Sequence, residues 1–465
     1  MCIKPLRETL CLVEWIGINC FHIKGLENLK SRKAWIAHIS RGTSTESYSH
    51  RRFEDLQDKT QVYPLAESDY VRTRLTHSLE VSCVGRSLGS IVGKRIIERH
   101  QLQNIDYSEF GSIIASACLA HDIGNPPLGH SGEEAIQNWF MDSDIGKEII
   151  KVLTDTERGD FLKFEGNAQG FRVLSRLQSP DNTGGMQLTC ATLAAYTKYP
   201  RESFVEGRAE DLKRKSAKKF GFFQDDKQLF AEVADEVGLL QIHNDHAWWC
   251  RHPLAFLVEA ADDITYTIID FEDGYRLGHI SFQEVSDILI ELLKGENLES
   301  YQTIQAEKEK VEYLRAKSIN KLILEVCDIF CEHEDRILLG EYDNALTKDI
   351  PSAANLDRIV SISKKKAYCA RNVLEIEAAG FQVLGELIRY FITSVNDVAK
   401  NAERALPRSK KLIELIPEQY LGNDRKPDND QYSRLIKITD FVSGMTDTFA
   451  VSLYKKLSGI SLPRG

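Results

Sequence analysis

The chain has 465 residues, 42% of them hydrophobic and 28% charged, which is the balance of a folded globular protein rather than a disordered one. Its formal net charge of -10 at pH 7 argues against general nucleic-acid binding, while leaving room for a small polyanionic substrate held in a local basic pocket. No window approaches the roughly 18 uninterrupted apolar residues of a membrane span. Arg7, Glu8 and Glu14 interrupt the apolar patches at the N-terminus, so a signal peptide is not expected and the protein is read as cytoplasmic.

The ten cysteines are scattered without a CxxC pair, and three of them fall in the first 20 residues. A disulfide framework does not suit so long and dispersed a set; Cys118 and Cys190 read as small buried hydrophobes. Residues 1–60 show no clean amphipathic period. From Tyr63 the pattern sharpens: Pro64 begins a loop, and Arg72 to His100 reads as a long helix with Leu75, Leu79, Leu88, Ile91, Ile96 and Ile97 facing inward. Phe110 to Ala120 is a short, almost wholly apolar helix. Ser131 followed by Glu134 reads as a capping box opening a helix that runs to Phe140.

Residues 141–165 read as a surface helix and loop, and Asn167 to Leu177 as another helix. Pro200 to Phe223 is basic and loop-rich, with Lys213, Arg214, Lys215, Lys218 and Lys219. Phe230 to Leu240 and Pro253 to Glu272 are predicted helices, and Ile280 to Leu457 reads as helix after helix with charged outer faces. Strand-like alternation is scarce, so the predicted fold is all-α. There is no fixed-period repeat and no long linker.

The stretch LAHDIGNPPLGHSGE, Leu119 to Glu133, organises the chemistry. Adjacent His121 and Asp122 point about 100° apart on a helix, so both reach one metal only where that helix ends. Gly124, Pro126 and Pro127 supply the ending. A divalent site needs three or four donors, which draws in His77, at the start of the first long helix. Asp262 and Asp263 lie in an otherwise apolar helix, where an unpaired carboxylate would be costly. Asp262, Tyr266 and Asp270 are four apart and share one stripe; Asp263 is turned away and is expected to pair locally. Two imidazoles and two carboxylates suit Mn²⁺, Fe²⁺, Co²⁺, Zn²⁺ or, with water ligands, Mg²⁺. His130 and Glu133, one turn apart at the start of the next helix, are candidates for an acid/base pair, and the free N–H groups there favour an anionic substrate.

The order His77, His121-Asp122, Asp262 resembles the HD-domain metal-dependent phosphohydrolases. More narrowly, LQDKTQVYPL, RTRLTHSLEV, HDIGNPPLGHSGE, FEGNAQGFR, the KYP at Lys198, KKFGFF, HPLAFLVEAADDITY and SGMTD resemble the deoxyguanosine triphosphate triphosphohydrolases, from about Leu56 onward. The resemblance implies an HD catalytic core over 56–280, with further helices over 281–465 packed on it. It implies hydrolysis of dGTP, or of several dNTPs, to deoxynucleoside and inorganic triphosphate by attack at the α-phosphate. His77, His121, Asp122 and Asp262 would bind the metal, with Mg²⁺ or Mn²⁺ the first expectation. His130 and Glu133 would serve the reaction. Gln61 would face the sugar, Tyr266 and Asp270 would line the deoxyribose side, and Arg74, Asn167, Lys198, Tyr199 and Lys219 would hold phosphates or nucleoside. A homo-oligomer, a hexamer by resemblance, is expected, with nucleic acid entering only as an effector. No P-loop is present, which counts against γ-phosphate hydrolysis.

The family has two arginines immediately before LQxKTQV, where this chain has Glu54 and Asp55. Codons for Phe-Glu-Asp read one nucleotide out of step can encode Phe-Arg-Arg, so residues 1–55 are expected to derive from a frame-shifted reading of the gene. An uninterrupted frame on resequencing would dispose of that idea.

Overall fold

A threonine pair sets the start of the helix that carries the first histidine. In a computed structural model, which describes residues 54–59, 72–179, 184–206, 211–243, 245–368 and 371–461, helix α1 spans Arg74–His100. Thr73 caps it: its Oγ1 accepts from Thr76 N, and Thr76 Oγ1 accepts from Thr73 N at 3.1 Å. That reciprocal box puts His77 in the first turn. Arg72, expected inside the helix, lies just before it and pairs with Glu80, Glu272 and Asp273.

Helix α2 (Tyr107–Ala120) packs along α1 through a four-spaced row of glycines. A Cβ on Gly85 would meet Cys118 Sγ at 2.5 Å, and one on Gly89 would meet the Phe110 carbonyl oxygen at 2.8 Å. One on Gly93 would strike the Phe110 ring. The missing side chains let the two backbones approach closely, which fixes the end of α2, and hence His121, against the start of α1. Val81, Leu88 and Val92 are fully buried on the inward face of α1, while Leu75 and Leu79 are only partly buried. Cys118 is fully buried, as expected; Cys190 is only partly so.

Helix α3 (Gly129–Asp142) starts two residues before the predicted Ser131 cap. Its N-cap, Leu128, is left-handed (φ 65°) and offers no side-chain cap. The Leu128 N–H instead donates to Asp447 Oδ1 at 2.9 Å, from the far end of the chain. The capping box at Ser131 is therefore corrected: the Gly/Pro turn tightens the chain before Ser131, and a distant carboxylate takes the orphan donor. Residues 141–165 contain two short helices, Asp144–Ile150 and Asp155–Leu162. Helix α4 (Gly166–Arg172) passes into a π turn over Val173–Leu177, where one unbroken helix was predicted.

Helix α5 (Cys190–Tyr196) leads to the KYP segment, and α6 (Pro253–Arg276) crosses α1 with its first two turns wholly buried. The long helix α7 (Arg371–Asn401) lies on α3, followed by α8 (Gln431–Ser443) and α9 (Asp447–Leu457). The fold is all-α; among the described residues no strand forms, and isolated bridges join Arg201 to Trp248 and Gln241 to Trp249. No described helix is long and apolar enough to cross a membrane.

Among the described residues two large apolar cores result, beside a small cluster of Leu56 and Leu119. The first gathers α1, α2, α5, α6 and the helices up to Ile359. The second gathers α3, the helix Asp155–Leu162 and α7 to α9. Ile123 belongs to the first and Ala135 to the second, so the chain crosses between them in the HDIGNPPLGH turn.

Candidate active site

The end of α2, the start of α1 and the middle of α6 bring His121, His77 and Asp262 together. Asp262 Oδ1 is 3.2 Å from His77 Nε2 and 3.6 Å from His121 Nε2, and one ligand atom from each lies within 4.8 Å of the others. His121 Nδ1 donates to the Cys118 carbonyl at 2.7 Å. That bond leaves the Nε2 lone pair facing the cluster, the arrangement found where imidazole is a ligand. The mixed N/O set therefore fits a divalent cation on its own geometry.

Asp122 adjoins this trio without closing on it. Its Oδ1 is 3.5 Å from His121 Nε2 and accepts from Asn125 Nδ2 at 2.5 Å, while its Oδ2 pairs with Arg74 at 2.7 Å. Burial pushes the Asp122 carboxyl up, but Arg74, His121 and His77 outweigh it and hold the group well below the usual carboxylate range. Burial likewise opposes ionisation of Asp262, and His121 and His77 overcome it. Both carboxylates are thus kept anionic and available as donors. Asp263 accepts from Thr347 Oγ1 at 2.6 Å, the local pairing expected of it.

Beyond the trio lies a cavity of about 580 Å³, lined by Arg74, Asp122, His130, Glu133, Asn167 and Tyr266 among others. Gly129, at φ +59°, makes room for Arg74 on its wall: a Cβ there would lie 2.6 Å from Arg74 Nη2. His130 is 83% exposed at its side chain, and its Nδ1 is 3.1 Å from Glu133 Oε2. Glu133 is buried, and its other oxygen accepts from Gly166 N at 2.8 Å. The hydrogen bond to Glu133 raises the pKa of His130 above its ordinary value. The two residues form a dyad in which a fixed carboxylate orients a solvent-facing imidazole.

The basic side chains are held by acids that the sequence reading left unassigned. Glu165 Oε1 takes Lys219 Nζ at 2.8 Å and Asn167 Nδ2 at 2.6 Å. Burial lowers Lys219, but Glu133 and Glu165 more than restore its charge. Lys198 Nζ is 3.1 Å from Glu259 Oε1. Glu165 stood in FEGNAQGFR and Glu259 in HPLAFLVEAADD; an acid inside an apolar run was the available signal, used only for Asp262 and Asp263. Tyr199 and Tyr266 line the cavity. Asp270, one turn beyond Tyr266, is buried and does not line it. Gln61 and residues 1–53 lie outside the described residues.

Two motifs far from the cluster in sequence clamp its turn. Lys59, of LQDK, donates from Nζ to the Asn125 carbonyl at 2.6 Å and lies 3.5 Å from the Ser443 carbonyl. Asp447 closes SGMTD and caps Leu128.

Residues 74–162 match the HD domain, a stretch that holds His77, His121, Asp122, His130 and Glu133 and ends before Asp262. A deoxyguanosinetriphosphate triphosphohydrolase-like protein of Synechocystis is 48% identical over 417 residues, covering 88% of this chain and 91% of its own. One of the same description from Pseudomonas aeruginosa is 36% identical with the same coverage. The deoxyguanosinetriphosphate triphosphohydrolase of Salmonella paratyphi A is 30% identical over 492 residues, covering 91% of this chain and 94% of its own.

Proposed function

The chain belongs to the family of deoxyguanosinetriphosphate triphosphohydrolase-like proteins, HD-domain phosphohydrolases that depend on a metal, and on that premise we propose that it hydrolyses dGTP, or dGTP among other dNTPs, to deoxynucleoside and inorganic triphosphate. The observation that carries the reading is the convergence of His77, His121 and Asp262 beside a cavity that also receives His130, Glu133 and Lys198. His77, His121, Asp262 and, from the adjoining position, Asp122 would hold Mg²⁺ or Mn²⁺. Bound there, the ion would offset charge at the α-phosphate and make a water acidic enough to attack at neutral pH.

Release of an intact triphosphate fixes what the side chains do. Water adds to the α-phosphorus and the bond to the 5′-oxygen breaks, so the departing nucleoside oxygen must gain a proton. His130, its Nδ1 tied to Glu133 and its ring open to the cavity, is the group positioned to donate it. Arg74, Asn167, Lys198, Tyr199 and Lys219 hold phosphates or nucleoside. Tyr266 closes the deoxyribose side, where a ring leaves no room for a 2′-hydroxyl, and Gln61 meets the sugar. A homo-oligomer, with a hexamer as the expected state, belongs to the same reading.

Incubation with each dNTP and rNTP in the presence of Mn²⁺ or Mg²⁺, with the products resolved, tests this. Inorganic triphosphate and deoxynucleoside are expected from dGTP. Monophosphate with pyrophosphate would sink the reading and point to another HD phosphohydrolase. Asp122→Ala should abolish turnover, and Tyr266→Ala should relax discrimination against ribonucleotides.

A further inference from the structure

Glu165 is 4% exposed, and a single one of its oxygens serves two cavity-lining groups: Oε1 takes Asn167 Nδ2 at 2.6 Å and Lys219 Nζ at 2.8 Å. It is also the N-cap of α4, where its side chain accepts from Asn167 N. The next residue fixes its place. Gly166 N donates to Glu133 Oε1 at 2.8 Å, and a Cβ on Gly166 would lie 2.6 Å from that same oxygen. The absent side chain lets the start of α4 close on Glu133, so two buried carboxylates flank Lys219, one from α3 and one from the cap of α4.

Lys219 is unevenly placed between them. Its Nζ is 2.8 Å from Glu165 Oε1 but 3.7 Å from Glu133 Oε2. That Glu133 oxygen is the one 3.1 Å from His130 Nδ1. Two donors therefore face one oxygen, and the pull of Glu165 on Lys219 leaves it to the imidazole. The bond to Glu133 raises the pKa of His130, while burial and then Lys219 and Arg74 work against it. From α7, Glu377 lines the same cavity.

Lys219 is only about one-third exposed, so its ammonium group depends on a carboxylate for compensation. Once Glu165 no longer supplies it, the nearest acid is Glu133. A lysine drawn there competes with His130 for Oε2 and leaves the position from which it meets a ligand.

We propose that Glu165 is a positioning residue that sorts these donors, reserving Lys219 for a phosphate of the substrate and thereby leaving Glu133 Oε2 to His130. The phosphate half rests on the reading that the cavity takes a nucleoside triphosphate; the His130 half does not. Anchoring Lys219 and Asn167 on one buried oxygen orders both before a ligand arrives, which lowers the entropy cost of binding.

The first readout is the titration of the His130 ring, followed by NMR in the full chain with Mg²⁺ present. Its signal among the 12 histidines is assigned by its loss in His130→Gln. Glu165→Gln keeps an oxygen for Asn167 but loses the charge that holds Lys219, and should lower the His130 midpoint by about half a pH unit or more. In a Lys219→Ala background the same substitution should move the midpoint by less than about 0.2 of a pH unit. Equal lowering in both backgrounds would mean that Glu165 acts on His130 through its field alone, and no lowering in either would mean that it does not act; each overturns the proposal. Glu165→Asp, which withdraws the oxygen by one methylene, takes the same comparison if the glutamine variant does not fold.

The second readout is calorimetric titration of inorganic tripolyphosphate and, separately, deoxyguanosine. Glu165→Gln should weaken tripolyphosphate roughly tenfold, as Lys219→Ala does, and deoxyguanosine less than about twofold. Tripolyphosphate bound as tightly as by the wild type, or not bound by the wild type at all, overturns the phosphate half. Neither readout needs turnover, so failure to hydrolyse dGTP strikes the functional reading alone.

Discussion

At the scale of single residues, the His130–Glu133 dyad gives the sharpest consequence. Glu133 raises the pKa of His130, so the imidazolium persists above the ordinary histidine range. If His130 gives its proton to the leaving oxygen, activity falls as pH rises through that raised value. Glu133→Gln removes the cause, and the alkaline limb of kcat/KM should move to lower pH, with kcat down roughly a hundredfold or more. An alkaline limb that stays in place would refute the assignment. The donor residues were legible because each is a costly polar group in a patterned setting: His121-Asp122 before a Gly/Pro break, Asp262 in an apolar helix. Glu165 and Glu259 were not, because their meaning lies in partners 54 and 61 residues away in the chain, Lys219 and Lys198 in turn.

At the scale of elements, the distance between α1 and α2 sets the cluster, and the glycine row sets that distance. Gly89→Ala would bring a Cβ to 2.8 Å from the Phe110 carbonyl oxygen and 2.9 Å from Gly111 Cα. Both are backbone atoms, so the helices must part. A stability loss of about 1–3 kcal/mol is expected, together with weaker binding of Mn²⁺ as His77 and His121 separate; chemical denaturation and metal titration measure the two. A second element contact is pH-sensitive. Asp160, on Asp155–Leu162, is fully buried, and its Oδ2 accepts from Tyr432 Oη at 2.6 Å and Gln224 N at 2.8 Å. Burial pushes its carboxyl from 3.8 up to about 7. The stability this neutral group contributes is complete below the unfolded value and is lost as pH rises through about 7. Asp160→Asn keeps an acceptor and cannot ionise, so it should be the more stable form at pH 8 by about 2 kcal/mol, with little difference at pH 4. Equal melting profiles at pH 8 would refute this. Most long helices were legible from periodicity, whereas the short α5 and the start of α3 were not. Ser131 and Glu134 made a plausible local cap, but the true cap is a tertiary contact.

At the scale of the whole molecule, that contact shows why the C-terminal helices matter to a site built from residues 74–270. The turn from His121 to His130 has the first core on one side and the second on the other, and two of its backbone groups are held by residues distant in the chain. Lys59 holds the Asn125 carbonyl, and Asp447 holds the Leu128 N–H from 319 residues away. Leu128 stands in left-handed geometry that a leucine adopts at a cost, so the turn keeps its shape only while these contacts over-determine it. Asp447→Ala removes the charged acceptor, leaving the Leu128 N–H at the start of α3 unsatisfied, while α9 keeps its Thr446 cap and loses only the acid in its first turn. A loss of about 1–3 kcal/mol in global stability is expected. A larger proportional effect should fall on turnover, because His130 and Asp122 sit at the two ends of the loosened turn. Asp447→Asn, which keeps an oxygen to accept from Leu128, should recover most of the activity. Measuring kcat beside denaturant midpoints separates the two effects. Activity that tracks stability alone in both variants would show that the C-terminal helices merely support the fold, and activity lost in Asp447→Ala at temperatures where it remains folded would show that they shape the turn.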